Sequence, residues 1–375
     1  MDNLVKMKVA FNNIFENKKT LITGNTGFKG SWLSIWLLKL GASVFGLSKN
    51  IPTKPSIFKD FGLKNKLNHF EMDIRDLDGL ISMIIEIKPD FIFHLAAQPL
   101  VSMSYKNPSE TISTNVIGTS NILEALRVSN HSCVLIVVTS DKCYDNLEWS
   151  KGYKETDMLG GKDIYSGSKG AAELVFKSYY HSFFSSSNSK VKCASVRAGN
   201  VIGGGDWAKD RIVPDCIRAW SKNEAVSLRN PDSTRPWQHV LEPLSGYLML
   251  GHILFENSSL NGQSFNFGPP PNHNFSVKEI LIGLSKEWGF KDVSKAYKIA
   301  GKSEFHEAGL LRLNCDKAFY HFGWRPTLNF EEITEFTGSW YYNFFNKKSA
   351  IYQYTLNQIE KFEHKAFSRS IKWIK

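Results

Sequence analysis

KTLITGNTGFKGSWLSIWLLKLG, residues 19–41, joins an apolar strand over Lys19–Thr23 to a helix over Lys29–Leu40. Between them runs a turn with glycine at 24, 27 and 30, and Gly41 stops the helix. Glycine lets the backbone turn sharply and come close to an anion, whose charge the helix N-terminus then stabilises. With 27 glycines in 375 residues, chance supplies about 0.14 GxxGxxG per chain. The turn therefore predicts a seat for the pyrophosphate of a dinucleotide, built from Gly24, Thr26, Gly27, Phe28, Lys29 and Gly30. A purely structural glycine turn is the alternative.

The same alternation continues outward. Strands are expected at Ser43–Leu47, Asn68–Met72, Asp90–Leu95, Val134–Thr139 and Cys193–Val196, with helices over Asp76–Ile87, Asn115–Val128 and Asp163–Phe184. Repeated β-α-β units with apolar strands predict an α/β fold whose parallel sheet is covered on both faces. Residues 1–200 read as this nucleotide-binding unit. After Gly199 the pattern loosens, and residues 201–345 read as a smaller mixed lobe. Residues 346–375 mix aromatics with charges, as a packed helix or an interaction tail would.

Composition narrows the partners. Lys and Arg number 46 against 36 Asp and Glu, a formal charge of +10, with 42% hydrophobic residues. That balance excludes wholesale disorder and raises the prior for a polyanionic partner. The basic residues are dispersed, so a phosphorylated small molecule is expected and a nucleic acid is not. Five cysteines (133, 143, 193, 216, 315) include no CxxC pair, so neither a disulfide framework nor a Cys-based metal site is expected. No apolar run reaches the roughly 20 residues that cross a bilayer. The first twenty residues lack the apolar core of a secretory signal, so a cytoplasmic location is expected.

Chemistry concentrates at strand ends and on one helix. Tyr165-Ser-Gly-Ser-Lys169 sets a phenol and an ammonium at i and i+4 on one helix face. A cation beside a phenol lowers its pKa, and moving it from about 10 to 7 needs roughly 4 kcal/mol. One YxxxK per chain is expected by chance, but Tyr165 is the sole match and lies where a nucleotide fold places its ligand. Thr139-Ser140-Asp141-Lys142 closes the fifth strand and should face the same cleft. A hydroxyl of Thr139 or Ser140 suits the reacting oxygen. Asp141 suggests a second proton transfer, such as protonation of a leaving hydroxyl; a turn residue is the alternative. Asp73-Ile74 after the third strand suits an adenine, with a helix cap as the alternative for Asp73. The second strand lacks the acidic residue that would bind a ribose 2′-hydroxyl, and Lys49 there leaves NAD and NADP both open.

With GNTGFKG, HLAAQP (94–99), TSDKCYDN (139–146), YSGSK (165–169), VRAGNVIGGGDWAKDRIVPD (196–215) and RPWQHVLEP (235–243), the chain resembles the extended short-chain dehydrogenase/reductase family over residues 17–345. The later segments resemble a branch that dehydrates nucleotide-diphosphate sugars. The resemblance implies a Rossmann-type doubly wound sheet, tightly held NAD contacted also by Leu95, Ala96 and Ala97, and CDP-glucose as substrate. It implies a homodimer or homotetramer, no metal, and substrate contacts from Gln98, Asn200, Arg211 and Arg235, for which surface ion pairs are the alternative. In that chemistry Tyr165 takes the C4 hydroxyl proton as hydride leaves C4 for the cofactor. The C4 ketone acidifies the C5 hydrogen, Asp141 is the acid for the C6 hydroxyl, and hydride returns to C6. Lys169 orients the nicotinamide ribose and depresses the Tyr165 pKa. Thymidine-linked relatives carry Asp-Glu where this chain has Asp141-Lys142, so Lys142 is expected either to serve as the C5 base or to stabilise the enolate. An epimerase or reductase would share Tyr165 and Lys169 but gain little from Asp141. A dinucleotide-sensing protein without turnover would need neither.

Overall fold

The computed structural model describes residues 9–228, 230–270, 273–299, 310–347 and 350–375. Of the lobe expected over 201–345, residues 229, 271–272 and 300–309 lie outside those ranges. Strand β1 (Lys19–Thr23) forms at the expected residues. Strands β2 (Ser43–Ser48), β3 (Asn68–Glu71), β4 (Phe91–His94), β5 (Cys133–Val138) and β6 (Val191–Arg197) each fall within two residues of expectation. With β7 (Ser264–Asn266) they make one sheet of order β7-β6-β5-β4-β1-β2-β3, every neighbouring pair parallel. The order reverses at β1, which pairs with β4 on one side and β2 on the other. Ligands of such sheets bind at that reversal, beyond the strands' carboxyl ends.

The strand period of two explains why both faces are covered. Ile22, Phe91, Phe93, Ile136 and Val196 enter one core, while Leu21, Ile92, Leu135, Val137 and Cys193 enter the other. Trp32 and Trp36 of α1 (Phe28–Lys39) fill the first. Leu80 and Ile84 of α2 (Leu77–Ile87), Ile122 and Leu126 of α3 (Gly118–Ser129) and Phe176 of α4 (Ile164–Tyr179) fill the second. The helix expected from Asn115 becomes regular only at Gly118, because residues 113–117 widen by one residue per turn.

Beyond residue 200 the chain makes short pairings, 201–202 with 238–239, 234–235 with 275–276 and 226–228 with 297–299. Helices α5 (Ile212–Trp220), α6 (Leu241–Glu256), α7 (Val277–Trp288), α8 (Phe330–Asn346) and α9 (Ile351–Ser368) follow. This part is not separate from the sheet. β7 forms its edge, and Leu244 and Leu248 of α6 sit in the first core. Three residues between Gly262 and Gly268 carry no readable period, so sequence reading has no strand at β7. The final stretch is a packed helix. Glu363 of α9 accepts hydrogen bonds from Trp36 Nε1 at 2.9 Å and Lys39 Nζ at 2.8 Å, and Phe362 stacks on Trp373.

Candidate active site

The glycine turn closes against its neighbours with no room for a side chain at Gly24 or Gly30. Gly24 has φ +76°, and a Cβ there would lie 2.8 Å from the Ala96 amide nitrogen. A Cβ on Gly30 would collide with the Gly24 carbonyl oxygen. The first residue of α1 follows Gly27, which offers no side-chain cap, so the helix's first N–H groups remain free for an anion. Thr26 Oγ1 donates to the Asn50 carbonyl at 2.7 Å, and Ser48 Oγ donates to Asn25 Oδ1 at 2.9 Å, which fixes the turn to the end of β2. A backbone cradle of this shape fits a dinucleotide's diphosphate. Leu95 and Ala96 form its wall, tied to β1 by Leu95 N to the Thr23 carbonyl (3.0 Å) and Ala96 N to Thr23 Oγ1 (3.2 Å), and Ala97 follows them.

Ser140, Asp141 and Tyr165 meet beyond the ends of β5 and β6. Ser140 Oγ donates to Asp141 Oδ1 at 2.8 Å and lies beside the Tyr165 phenol, whose pKa it lowers. Asp141 is 4% exposed and fits only because residue 199 is glycine, whose Cβ would overlap the carboxylate. Burial pushes the Tyr165 phenol up to about 12; Ser140 and Arg211 pull it down, Asp141 and Asp163 up. Arg211, not the expected Lys169, is the cation that pulls this phenol down, and burial outweighs it. Burial also brings Lys169 down to about 8, opposed by Cys143 and Glu173. Lys142 is half-buried, and its backbone N donates to Ser140 Oγ at 3.2 Å.

One residue of the turn joins this cluster unexpectedly. Lys29 is lowered to about 8 by burial first, then by Arg211, while Asp141 pulls it back up; Lys169 and Asp206 act on it too. The turn and the strand ends are therefore one electrostatic site, with Lys29, Lys169 and Arg211 facing Asp141 and Asp206. Asp206 holds Arg211 Nη1 at 2.8 Å. Sequence spacing offered no signal for this, because residues 29, 141 and 211 meet only in the fold.

Thr139 and Gln98 stand differently from expectation. Thr139 turns away from the phenol and donates to Glu173 Oε1 at 2.5 Å, which leaves Ser140 as the hydroxyl beside Tyr165. Gln98 spends its amide on its own loop: Nε2 donates to the Leu100 carbonyl (3.0 Å) and Thr111 Oγ1 (2.9 Å), and Oε1 accepts from Leu100 N at 2.6 Å. A substrate contact from that side chain would require breaking three bonds. Asn115, which sequence reading missed, locks this loop to α4, accepting from Gln98 N at 2.8 Å and donating to Ser168 Oγ at 2.9 Å. Asp73 holds Arg75 by two bonds and Lys49 at 3.1 Å, and Arg75 above all holds its carboxyl well below the usual range. The cap of α2 is Asp76 instead, and the Ile74 side chain is buried in the core. Asn200 takes a left-handed φ of +49° just after Gly199. Arg235 donates to the Thr234 carbonyl at 2.9 Å, and the following Pro236 lines a gap of about 10 Å³ together with Asp141, Gly199 and Gln238. Among the described residues no group of three His, Cys, Asp or Glu is placed to hold a metal ion, and no helix is long and apolar enough to cross a membrane.

A family model described as GDP-mannose 4,6 dehydratase matches residues 21–337. The chain is 47% identical over 317 residues to a CDP-glucose 4,6-dehydratase of Salmonella typhimurium, covering 84% of this chain and 88% of that one. It is 35% identical over 313 residues to a GDP-mannose 4,6-dehydratase of Vibrio cholerae, covering 80% and 79%. Among solved structures it superposes on a UDP-glucose 4-epimerase of Thermotoga maritima with TM-score 0.74 at 19% identity, covering 88% and 99%. A dTDP-glucose 4,6-dehydratase of Bacillus anthracis in complex with NAD gives TM-score 0.72 at 20% identity, covering 89% and 99%. At those identities the two structures speak for the fold alone.

Proposed function

The chain belongs to the GDP-mannose 4,6-dehydratase family of extended short-chain dehydrogenases/reductases, and from that premise we propose that it converts CDP-glucose to CDP-4-dehydro-6-deoxyglucose. The observation that carries this reading is the Asp141 carboxyl beside the Tyr165 phenol. An epimerase or reductase has work for the phenol, but only an elimination needs an acid for a leaving hydroxyl.

Tyr165 takes the proton of the sugar's C4 hydroxyl, and Ser140 turns the one proton it otherwise gives to Asp141 toward the same oxygen. Gly24, Thr26, Gly27 and Gly30 would hold the diphosphate of NAD, which when bound would supply a hydride acceptor for C4 and a hydride donor for C6. Lys169 orients the cofactor's ribose. With a ketone at C4 the C5 proton becomes acidic; Lys142 removes it or stabilises the enolate, and a proton goes back to C5 once hydride has returned to C6. Asp141 gives its proton to the departing C6 hydroxyl. Arg211, Arg235 and Asn200 face the substrate's diphosphate and sugar; a planar guanidinium suits a diphosphate because it donates two parallel bonds. Asp73 and Glu110 both face Lys49, at 3.1 and 3.8 Å, and their charge opposes the extra phosphate of NADP, which favours NAD. The two-part organisation belongs to the same proposal, residues 1–200 holding the cofactor and 201–345 the sugar nucleotide. Five free thiols suit a reducing cytoplasm.

The test is incubation with CDP-, dTDP-, GDP- and UDP-glucose, read by mass and by NMR at C4 and C6. Loss of one water, fastest from CDP-glucose and without net reduced cofactor, is the expected result. A C4 epimer with its C6 hydroxyl intact would establish the epimerase reading instead.

A further inference from the structure

Glu173 and Arg197 form an ion pair with both side chains 0% exposed, and nothing in the chemistry above uses it. Arg197 grips the carboxylate with two bonds, Nε to Oε1 at 2.9 Å and Nη2 to Oε2 at 3.0 Å. Thr139 donates to Oε1 at 2.5 Å and Ser195 to Oε2 at 2.7 Å. One carboxylate on α4 thus holds the ends of β5 and β6. The guanidinium carries the network outward. Its Nη1 donates to the Tyr144 hydroxyl at 2.6 Å, which donates to Asn266 Oδ1 of β7 at 2.8 Å. Asn266 Nδ2 then donates to the carbonyls of Tyr153 (2.8 Å) and Asn314 (3.1 Å), and its backbone N to Glu155 Oε1 (2.8 Å).

A desolvated pair of this kind adds little stability over apolar packing, but its bonds are directional and fix geometry. Its position gives that geometry a use. Glu173 stands one turn beyond Lys169 and two beyond Tyr165 on the same helix face, and Thr139 immediately precedes Ser140. We propose that Glu173, held by Arg197, is the positioning residue that locks the strand end bearing Ser140 and Asp141 to the helix bearing Tyr165 and Lys169. This rests on the dehydratase reading, in which those four groups act on one sugar. The Glu173 charge has a second effect, because it favours the ammonium of Lys169 against its burial. The other groups that interact electrostatically with Lys169 are Cys143 after β5, Lys29 on α1 and His94 on β4; Lys169 lowers the last two.

The test is a cycle of T139V, E173Q and T139V/E173Q in the full-length holoprotein, assayed for dehydration of CDP-glucose. Each single variant is expected to lose tenfold or more in kcat, with KM within twofold and bound NAD retained. The double variant should be no slower than the slower single one, since both substitutions break the same link. E173Q alone should move the alkaline limb of kcat to lower pH, because Lys169 then loses its proton earlier; a merely structural loss would leave that limb in place. If E173Q does not fold, E173Q/R197M removes the stranded guanidinium and replaces it in the cycle. Wild-type kcat in T139V, losses that multiply in the double variant, or an unmoved limb would each overturn the proposal. A wild-type protein inert toward every glucose nucleotide would instead defeat the dehydratase reading, independently of the cycle.

Discussion

Gly199 has a steric reason to be glycine, since any Cβ there would occupy the space of the Asp141 carboxylate. Gly199→Ala must push Asp141 off the position that Ser140 now fixes by a 2.8 Å bond. Misplacing a reacting group by about 1 Å costs on the order of 100-fold, so kcat for dehydration should fall by about that factor while NAD content and thermal stability stay near wild type. A variant with wild-type kcat would show that the seat is irrelevant. At the neighbouring position, Lys142→Met should abolish solvent deuterium incorporation at C5 of the product. Undiminished exchange would remove Lys142 from both roles given to it, and would leave Lys29, the desolvated amine of the same cluster, as the group to substitute next.

Helices α8 and α9 are joined by a clasp that also reports on pH. Glu332 accepts from Lys365 Nζ at 2.7 Å and from Arg369 Nη1 and Nη2 at 2.8 and 2.7 Å. Burial raises its pKa, but those donors more than reverse this and hold the carboxyl at about 2. A carboxyl depressed below its unfolded value of about 4.3 stabilises the fold above that pH and ceases to do so as the pH falls through the folded value. Glu332→Gln should therefore cost about 1–2 kcal/mol at pH 7, since the cations are partly exposed and screened. Urea unfolding would measure the gap, which should close between about pH 4.5 and 2. A gap that stayed constant down to pH 2 would show that the loss comes from packing rather than charge.

Across the whole molecule, α3 and α4 lie on the face away from α1 and leave apolar groups in solvent. Leu174 is 56% exposed, Phe183 just beyond α4 is 49%, and Ile117 just before α3 is 50%. A second copy of the chain would cover them, in line with the homodimer or homotetramer expected. We propose that this face pairs two copies, so that Leu174→Glu should leave only monomer in sedimentation velocity; a wild-type protein already monomeric at high concentration would refute the assembly. At this scale the sequence by itself determined the parallel sheet, the glycine cradle and the helix pairing Tyr165 with Lys169. Those features follow from short-range physics: strand period, helix period and the steric freedom of glycine operate within a dozen residues. Only the tertiary structure decided that β7 belongs to the sheet, that Thr139 faces Glu173 while Ser140 faces Tyr165, that Gln98 closes its own loop, and that Lys29 joins Asp141 and Arg211. These choices depend on which distant residues fill the space and exclude water around each polar group. Desolvation and rotamer selection arise from contacts between segments as distant in sequence as those of Lys29 and Arg211, and no local pattern encodes them.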